Sequence, residues 1–174
     1  MGKIDDDTGS IRGSVGSSNW SEFWIRKQES NDKLIDAIKN SDYGLVSKLL
    51  TDPGLVATGT QADVNFTVKF NGFVLSPLLL AIQFVKANET NHSIIQDLMN
   101  AYADLNCVEE NTGFTPIIMA CHLNTEQDSI NVIEMLVNHR FYKGQPMIVN
   151  VNSVDLFGCS ALHYASHTGK LKLC

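Results

Sequence analysis

The side chains that could hold a metal ion lie close together near the end of the chain. Cys159, His163 and His167 follow one another at intervals of four residues. On a helix this spacing brings side chains to one face, and thiolate and imidazole groups are ligands that zinc prefers. A structural zinc site needs four protein ligands, and the sequence offers no fourth ligand within reach. We therefore predict no metal site and no cofactor.

Nucleophilic catalysis by a cysteine activated by a histidine is the second chemistry that the residue types allow. Cys121 stands beside His122, but the carboxylates are dispersed and do not complete an arrangement of nucleophile and base. The sequence also lacks a glycine-rich phosphate loop, an H-E-x-x-H motif and a G-x-S-x-G motif. We therefore predict that the chain is not an enzyme.

Composition and charge argue against several other classes of protein. The 174 residues carry a net charge of −6, which has the wrong sign for binding the phosphate backbone of a nucleic acid. No run of eighteen apolar residues is present, so no membrane insertion is predicted. The acidic N-terminus lacks the apolar core of a secretory signal, and the four cysteines show no C-x-x-C spacing. We expect a cytoplasmic protein, with a nuclear location left open and no prediction of oligomeric state.

The helices that would position these residues recur along the chain. In the last three repeats, a Ser or Thr precedes Pro or Ala at the start of a short apolar helix, as suits a helix N-terminus. The first helix of each of the four units contains an alanine, and successive alanines are separated by 44, 39 and 45 residues; they are Ala37, Ala81, Ala120 and Ala165. A closing asparagine follows each of the first three units, at Asn65, Asn106 and Asn152.

The segment from Asp155 to Leu171, D-L-F-G-C-S-A-L-H-Y-A-S-H-T-G-K-L, resembles an ankyrin repeat. The signature of that family is D-x-x-G in a turn, T-P-L-H-x-A at the start of a helix, and a Gly at its end. The segment from Gly113 to Ala120, G-F-T-P-I-I-M-A, is similar. The resemblance implies an all-α ankyrin-repeat solenoid of stacked helix-turn-helix units joined by hairpin-like loops. It also implies that His163 ties the helix start to a neighbouring loop.

The predicted chain has three parts. The first 18 residues are rich in Gly, Ser and Asp and cannot bury enough apolar surface to offset their ordering entropy. Trp20, Phe23 and Trp24 would share one face of a short helix, which either caps the first unit or binds a partner. The predicted boundaries are 1–18 for a flexible tail, 19–30 for the aromatic helix, and 31–174 for the repeats, divided into a capping unit 31–66, units 67–107 and 108–153, and an incomplete unit 154–174.

The resemblance implies a protein-protein interaction module or scaffold, whose concave face binds a protein partner. Phe73, Phe114 and Phe157 occupy loop tips that normally favour polar residues, so they either form a binding hot spot or fold back against their own helices. Two alternatives are an N-terminal regulatory part of a protein with an effector domain beyond Cys174, and a structural subunit of a large assembly. The candidate partner-binding residues are Asn71, Phe73, Gln83, Phe84, Asn111, Thr112, Phe114, His122, Leu123, Leu156, Phe157, His167 and Thr168.

Overall fold

The computed structural model describes residues 17–85, 89–139, 148–170 and 172, and helices dominate these ranges. The one two-stranded antiparallel sheet that they contain is a hairpin whose turn is formed by Asn71 and Gly72, both with positive φ. The predicted all-α class is confirmed, with this hairpin added. The elements are α1 Ser17–Lys39, α2 Tyr43–Thr51, α3 Pro53–Thr58, β1 Val68–Phe70, β2 Phe73–Leu75, α4 Pro77–Gln83, α5 Glu89–Asn100, α6 Pro116–Cys121, α7 Glu126–Asn138 and α8 Ala161–His167.

The first helix is longer than the sequence pattern indicates. Because α1 runs without a break from Ser17 to Lys39, the aromatic helix predicted for 19–30 is not separate; it is part of one helix that continues into the unit predicted to start at residue 31. Asn31 does not cap a helix; its side-chain oxygen accepts a hydrogen bond from the backbone N of Asp63 at 2.8 Å. Of the tail predicted for 1–18, Ser17 and Ser18 are helical and the rest lies outside the described residues.

The N-terminal half of α1 lies against the connection that follows α3. A Cβ atom placed on Gly59 would meet the Phe23 ring at 3.5 Å, and Lys27 Nζ donates to the backbone O of Gln61 at 2.8 Å. Trp20 and Trp24 pack edge-on against Phe23, yet each is 63% exposed. Phe23 therefore covers the first unit, while the two indole rings face solvent.

The first helices of the units stack in one row, in the order α1, α4, α6 and α8, and the second helices α2, α5 and α7 form another. The alanine of each first helix is buried, which suits positions where neighbouring helices approach closely. Leucines and isoleucines of both rows belong to one continuous core. Each unit therefore buries its apolar face against its neighbours, as a solenoid requires.

The connection between α2 and β1 contains a helix that the sequence pattern did not predict. The second helix, α2, ends at Thr51, just before Pro53, and Pro53 begins α3. The Asp52 side chain accepts hydrogen bonds from the backbone N of Gly54 and Leu55 and so caps α3. Pro is favoured at the first position of a helix, which explains why this proline starts a helix.

A ladder of asparagines joins the closing loops. Asn65 Oδ1 accepts a hydrogen bond from the backbone N of Asp104 at 2.8 Å, and its Nδ2 donates to the backbone O of Tyr102 at 3.0 Å. Asn106 makes the same pair of bonds to the next loop, at 2.7 and 2.9 Å. The recurrent closing asparagine therefore serves to bond each loop to the loop that follows.

We expect Asn106→Ala to lower the free energy of unfolding by about 1 to 2 kcal/mol, because two hydrogen bonds between loops are lost. Asn152→Ala is the matched control, since Asn152 holds the same position in the last closing loop that the structure describes. That variant should stay within about 0.5 kcal/mol of the parent. Urea unfolding followed by circular dichroism measures both, and equal losses would contradict the role of the ladder.

Candidate functional site

A groove of about 240 Å³ opens between the hairpin and the ends of the first helices α4 and α6. Its apolar part includes Leu75, Val85 and Leu123, which are buried and form the floor, whereas Gln83 and Asn124 are exposed at the rim. The remaining contributors come from the tip of β2, the turn before α6, and α6 itself. The lining residues are Phe73, Leu75, Gln83, Val85, Glu109, Thr112, Phe114, Met119, His122, Leu123 and Asn124.

The turn on one side of the groove is built around the buried carboxylate of Glu109. Its Oε1 accepts from the backbone N of Val74 at 3.1 Å, and its Oε2 accepts from the backbone N of Asn111 and from the backbone N and hydroxyl of Thr112. Burial alone would raise the pKa of Glu109, but these hydrogen bonds outweigh it and hold the pKa below its usual 4.5. The carboxylate therefore holds the turn against β2.

The loop tips of successive units are bonded to one another beside the groove. Asn111 Nδ2 donates to the backbone O of Gly72 at 2.8 Å, and the backbone N of Leu156 donates to the backbone O of Thr112 at 3.0 Å. Gly113 has a φ of +79°, and a Cβ there would lie 2.7 Å from the backbone N of Leu156. The spacing between the last two units thus depends on a glycine at this position.

Three rings form a cluster at the other side of the groove. Phe114 stacks on His122 with 4.9 Å between ring centroids, and Tyr164 lies 5.6 Å from Phe114 and 4.4 Å from His122. The Tyr164 hydroxyl donates to Asp155 Oδ2, and this bond and burial raise the pKa of Tyr164 to about 12. Phe114 therefore folds back against its own helix, one of the two arrangements expected for it.

Partial burial and the nearby charge of Lys170 lower the pKa of His122 from its usual 6.5, against an opposing effect of Asp155. The folded chain therefore binds fewer protons than the unfolded chain as the pH falls below 6.5, and folding loses stability. Burial lowers the pKa of His139 too, and the lowered pKa values of Glu109 and Asp155 extend the loss to lower pH.

We therefore expect the free energy of unfolding to fall steadily as the pH is lowered from 7 to 5. His122→Gln cannot take up a proton, so this variant should show a shallower fall than the parent over the same range. Urea unfolding at several pH values measures both slopes. A slope unchanged by His122→Gln would contradict the assignment of this effect to His122.

Lys170 lies buried beneath the ring cluster. Its Nζ donates to the backbone O of Cys121 at 2.6 Å, to the backbone O of Leu123 at 2.5 Å and to Ser129 Oγ at 2.9 Å. Burial lowers the pKa of Lys170. This side chain therefore bonds the last unit to the end of α6 and to α7, directly below the groove floor.

The structure brings together only part of the predicted concave face. Phe84 packs against Phe70 at 5.5 Å instead of facing the groove, and Phe157 is 76% exposed away from it. The candidates that line the groove are Phe73, Gln83, Thr112, Phe114, His122 and Leu123. The candidates outside its lining are Asn71, Phe84, Asn111, Leu156, Phe157, His167 and Thr168.

The sequence motifs did not predict several of the residues that line the groove. Glu109 could have been found as the counterpart of Asp155, because each precedes the glycine of its turn, Gly113 or Gly158, and accepts backbone hydrogen bonds there. No local signal distinguishes the others from ordinary core residues. The missed residues are Leu75, Val85, Glu109, Met119 and Asn124.

His163, first considered as a metal ligand, bonds instead to the residue that caps its own helix. His163 Nδ1 accepts from the backbone N of Ser160 at 3.1 Å and lies 2.9 Å from its hydroxyl. Within the described ranges, no three His, Cys, Asp or Glu side chains are arranged to hold a metal ion. Burial raises the pKa of Cys107 to about 11, which keeps that thiol protonated, and Cys121 is buried.

No described helix has the length and apolarity needed to cross a membrane.

Comparison with known proteins places this architecture in a family. A family model described as ankyrin repeats, in three copies, matches residues 78–174, more than half of the chain. The chain belongs to the ankyrin-repeat family. The resemblance drawn from the sequence motifs and the predicted solenoid are thereby confirmed. Ankyrin repeats are in general protein-protein interaction modules without catalytic activity.

A putative ankyrin repeat protein of Acanthamoeba polyphaga mimivirus is 36% identical to this ankyrin-repeat chain over 59 residues. The match covers 34% of the chain and 7% of the viral protein. The chain thus corresponds to a small part of the length of that curated relative.

Proposed function

We propose that this chain is a non-catalytic interaction module that binds a partner protein in the groove between the hairpin and the ends of α4 and α6. The observation that carries the proposal is a preformed groove of about 240 Å³ with an apolar floor and a rim that carries polar side chains. Concave sites with apolar walls and a few placed polar groups are where proteins usually bind ligands. Six of the residues that the ankyrin resemblance nominates for partner binding line this groove, which supports the proposal.

Phe73 is the side chain through which the groove can most directly bind a partner. It lies at the tip of the hairpin and is 39% exposed, so a partner can cover a large apolar surface there. Aromatic side chains at the centre of an interface commonly carry much of the binding energy. Phe114, in contrast, is already packed against His122 and Tyr164 and serves as a wall.

Affinity capture with two matched variants tests this proposal. Phe73→Ser removes an aromatic ring from the groove, and Phe157→Ser removes an equally large and more exposed ring outside it. The parent chain, immobilised and exposed to lysate of the source organism, should retain a partner identified by mass spectrometry. Phe73→Ser should reduce its recovery at least about tenfold, as expected for a hot spot. Phe157→Ser should leave recovery unchanged, and the reverse pattern would refute the groove as the site.

A second candidate function is a regulatory or structural part of a larger protein or assembly. Leu162 in α8 is 57% exposed, whereas its counterparts Leu78 in α4 and Ile117 in α6 are 0% and 5% exposed. Helix α4 packs against α6, and α6 packs against α8. The exposed face of α8 therefore favours coverage by another domain or subunit.

Site-specific photo-crosslinking tests the second candidate. A benzoylphenylalanine at Leu162 should crosslink efficiently to the covering protein segment in source cells, and mass spectrometry of the crosslink identifies that segment. The same probe at Tyr43, an exposed residue of α2, serves as control. Failure of the Leu162 probe to give any crosslink above the control would count against a covered end face.

A further inference from the structure

The charged groups in and beneath the groove, Glu109 and Lys170, are buried and already hydrogen-bonded within the chain, so neither is open to a charged group of a partner. The ionisable lining residues of the groove are Glu109 and His122. The Glu109 carboxylate already accepts four hydrogen bonds from the turn and from β2. His122 stacks on Phe114, and its lowered pKa leaves it neutral near pH 7. A charged side chain entering the groove would lose its hydration without gaining a hydrogen-bonded ion pair, which is unfavourable.

The size of the groove fits one large side chain. An apolar cavity of about 150 Å³ is sufficient to hold benzene. The groove, at about 240 Å³, therefore has room for one leucine, methionine or phenylalanine side chain, and its floor of Leu75, Val85 and Leu123 is apolar.

Two exposed primary amides stand at the rim of the groove. Gln83 ends α4, Asn124 follows α6, and neither side chain bonds to another residue of the described ranges. A primary amide both donates and accepts hydrogen bonds. Amides of this kind can bond to the N–H and C=O groups of a peptide backbone that passes over the rim.

We propose that the groove takes one large uncharged side chain, leucine, methionine or phenylalanine, from an extended segment of the partner whose backbone bonds to Gln83 and Asn124. This inference rests on the proposed function and specifies the chemistry of the partner. It distinguishes the groove from sites that recognise acidic, phosphorylated or basic segments, because those need an opposite charge that the partner can reach.

Methionine-methyl NMR with short capped peptides tests the inference. The chain is labelled at its methionine methyl groups, and the signal of Met119, which lines the groove, is assigned with Met119→Leu. The probes are acetyl-Gly-Ser-X-Ser-Gly-amide peptides, in which X is Leu, Phe, Lys or Glu. The Leu and Phe peptides should shift the Met119 signal with a Kd at least about tenfold lower than the Lys and Glu peptides. Met99, buried outside the groove, should not shift.

The outcomes separate this inference from the proposed function. Binding of the Lys or Glu peptide as tight as that of the Leu peptide would overturn the inference while leaving the groove as a binding site. A Met119 signal that no peptide shifts would overturn both. The double variant Gln83→Ala, Asn124→Ala should weaken the Leu peptide about tenfold, and unchanged binding would overturn the backbone pairing.

Discussion

Gly113→Ala is expected to lower the free energy of unfolding by about 3 kcal/mol or more. A residue with a Cβ costs about 1 to 2 kcal/mol at a left-handed φ such as the +79° of Gly113. The new Cβ would also lie 2.7 Å from the backbone N of Leu156 and 3.1 Å from backbone atoms of Asp155. Backbone atoms cannot rotate away as a side chain can, so the last two units must separate. Urea unfolding at constant pH measures the loss.

Gly158→Ala is the matched control for this substitution. Gly158 has a similar φ of +77°, but a Cβ there would meet nothing within 4 Å. This variant should therefore lose only the conformational part, about 1 to 2 kcal/mol. Equal losses in the two variants would show that the close approach of the units contributes nothing.

Lys170→Met is expected to lower the free energy of unfolding by about 2 to 4 kcal/mol. The methionine side chain retains most of the apolar stem but donates no hydrogen bonds, so the backbone O atoms of Cys121 and Leu123 and the hydroxyl of Ser129 lose their donor. An unsatisfied buried acceptor costs about 1 kcal/mol or more. Thermal and urea unfolding measure the effect, which should be largest in the last unit by hydrogen exchange.

Lys172→Met is the control for charge and composition, because Lys172 is exposed and only its backbone N bonds to Glu126. It should stay within about 0.5 kcal/mol of the parent. A Lys170→Met variant as stable as the parent would mean that relief from burying an ammonium group offsets the lost hydrogen bonds, as happens at some buried charges.

The starts of the first helices were predictable because their signals are local. Pro77 and Pro116 follow Ser or Thr and begin α4 and α6 where the sequence places them. The continuity of α1 was not predictable in this way. Asn31 has the chemistry of an N-cap, but its oxygen bonds to Asp63, which lies 32 residues further along the chain. Asparagine is a residue type that often caps helix starts, but Asn31 lies inside a helix and bonds to a distant part of the chain.

The contrast between local signals and distant contacts also explains which residues in and below the groove were predicted. Phe73 and His122 were placed near the concave face because the repeat register assigns them there. Glu109 and Lys170 were missed because their bonding partners come from other units, 35 residues away for Val74 and up to 49 for Cys121. Charged residues normally lie at the surface, so sequence alone favours exposure for both.

The asparagine ladder has a direction along the chain, and this direction bears on synthesis. Asn65 bonds to Asp104, which leaves the ribosome 39 residues later, and Asn106 bonds to Asn150, 44 residues later. At a translation rate of about 5 to 20 residues per second, the bonding partner of each asparagine is synthesised about 2 to 9 seconds after the asparagine itself. The loops of the nascent chain are therefore joined one after another from the N-terminal end, and each newly translated unit completes the bonds of the unit before it.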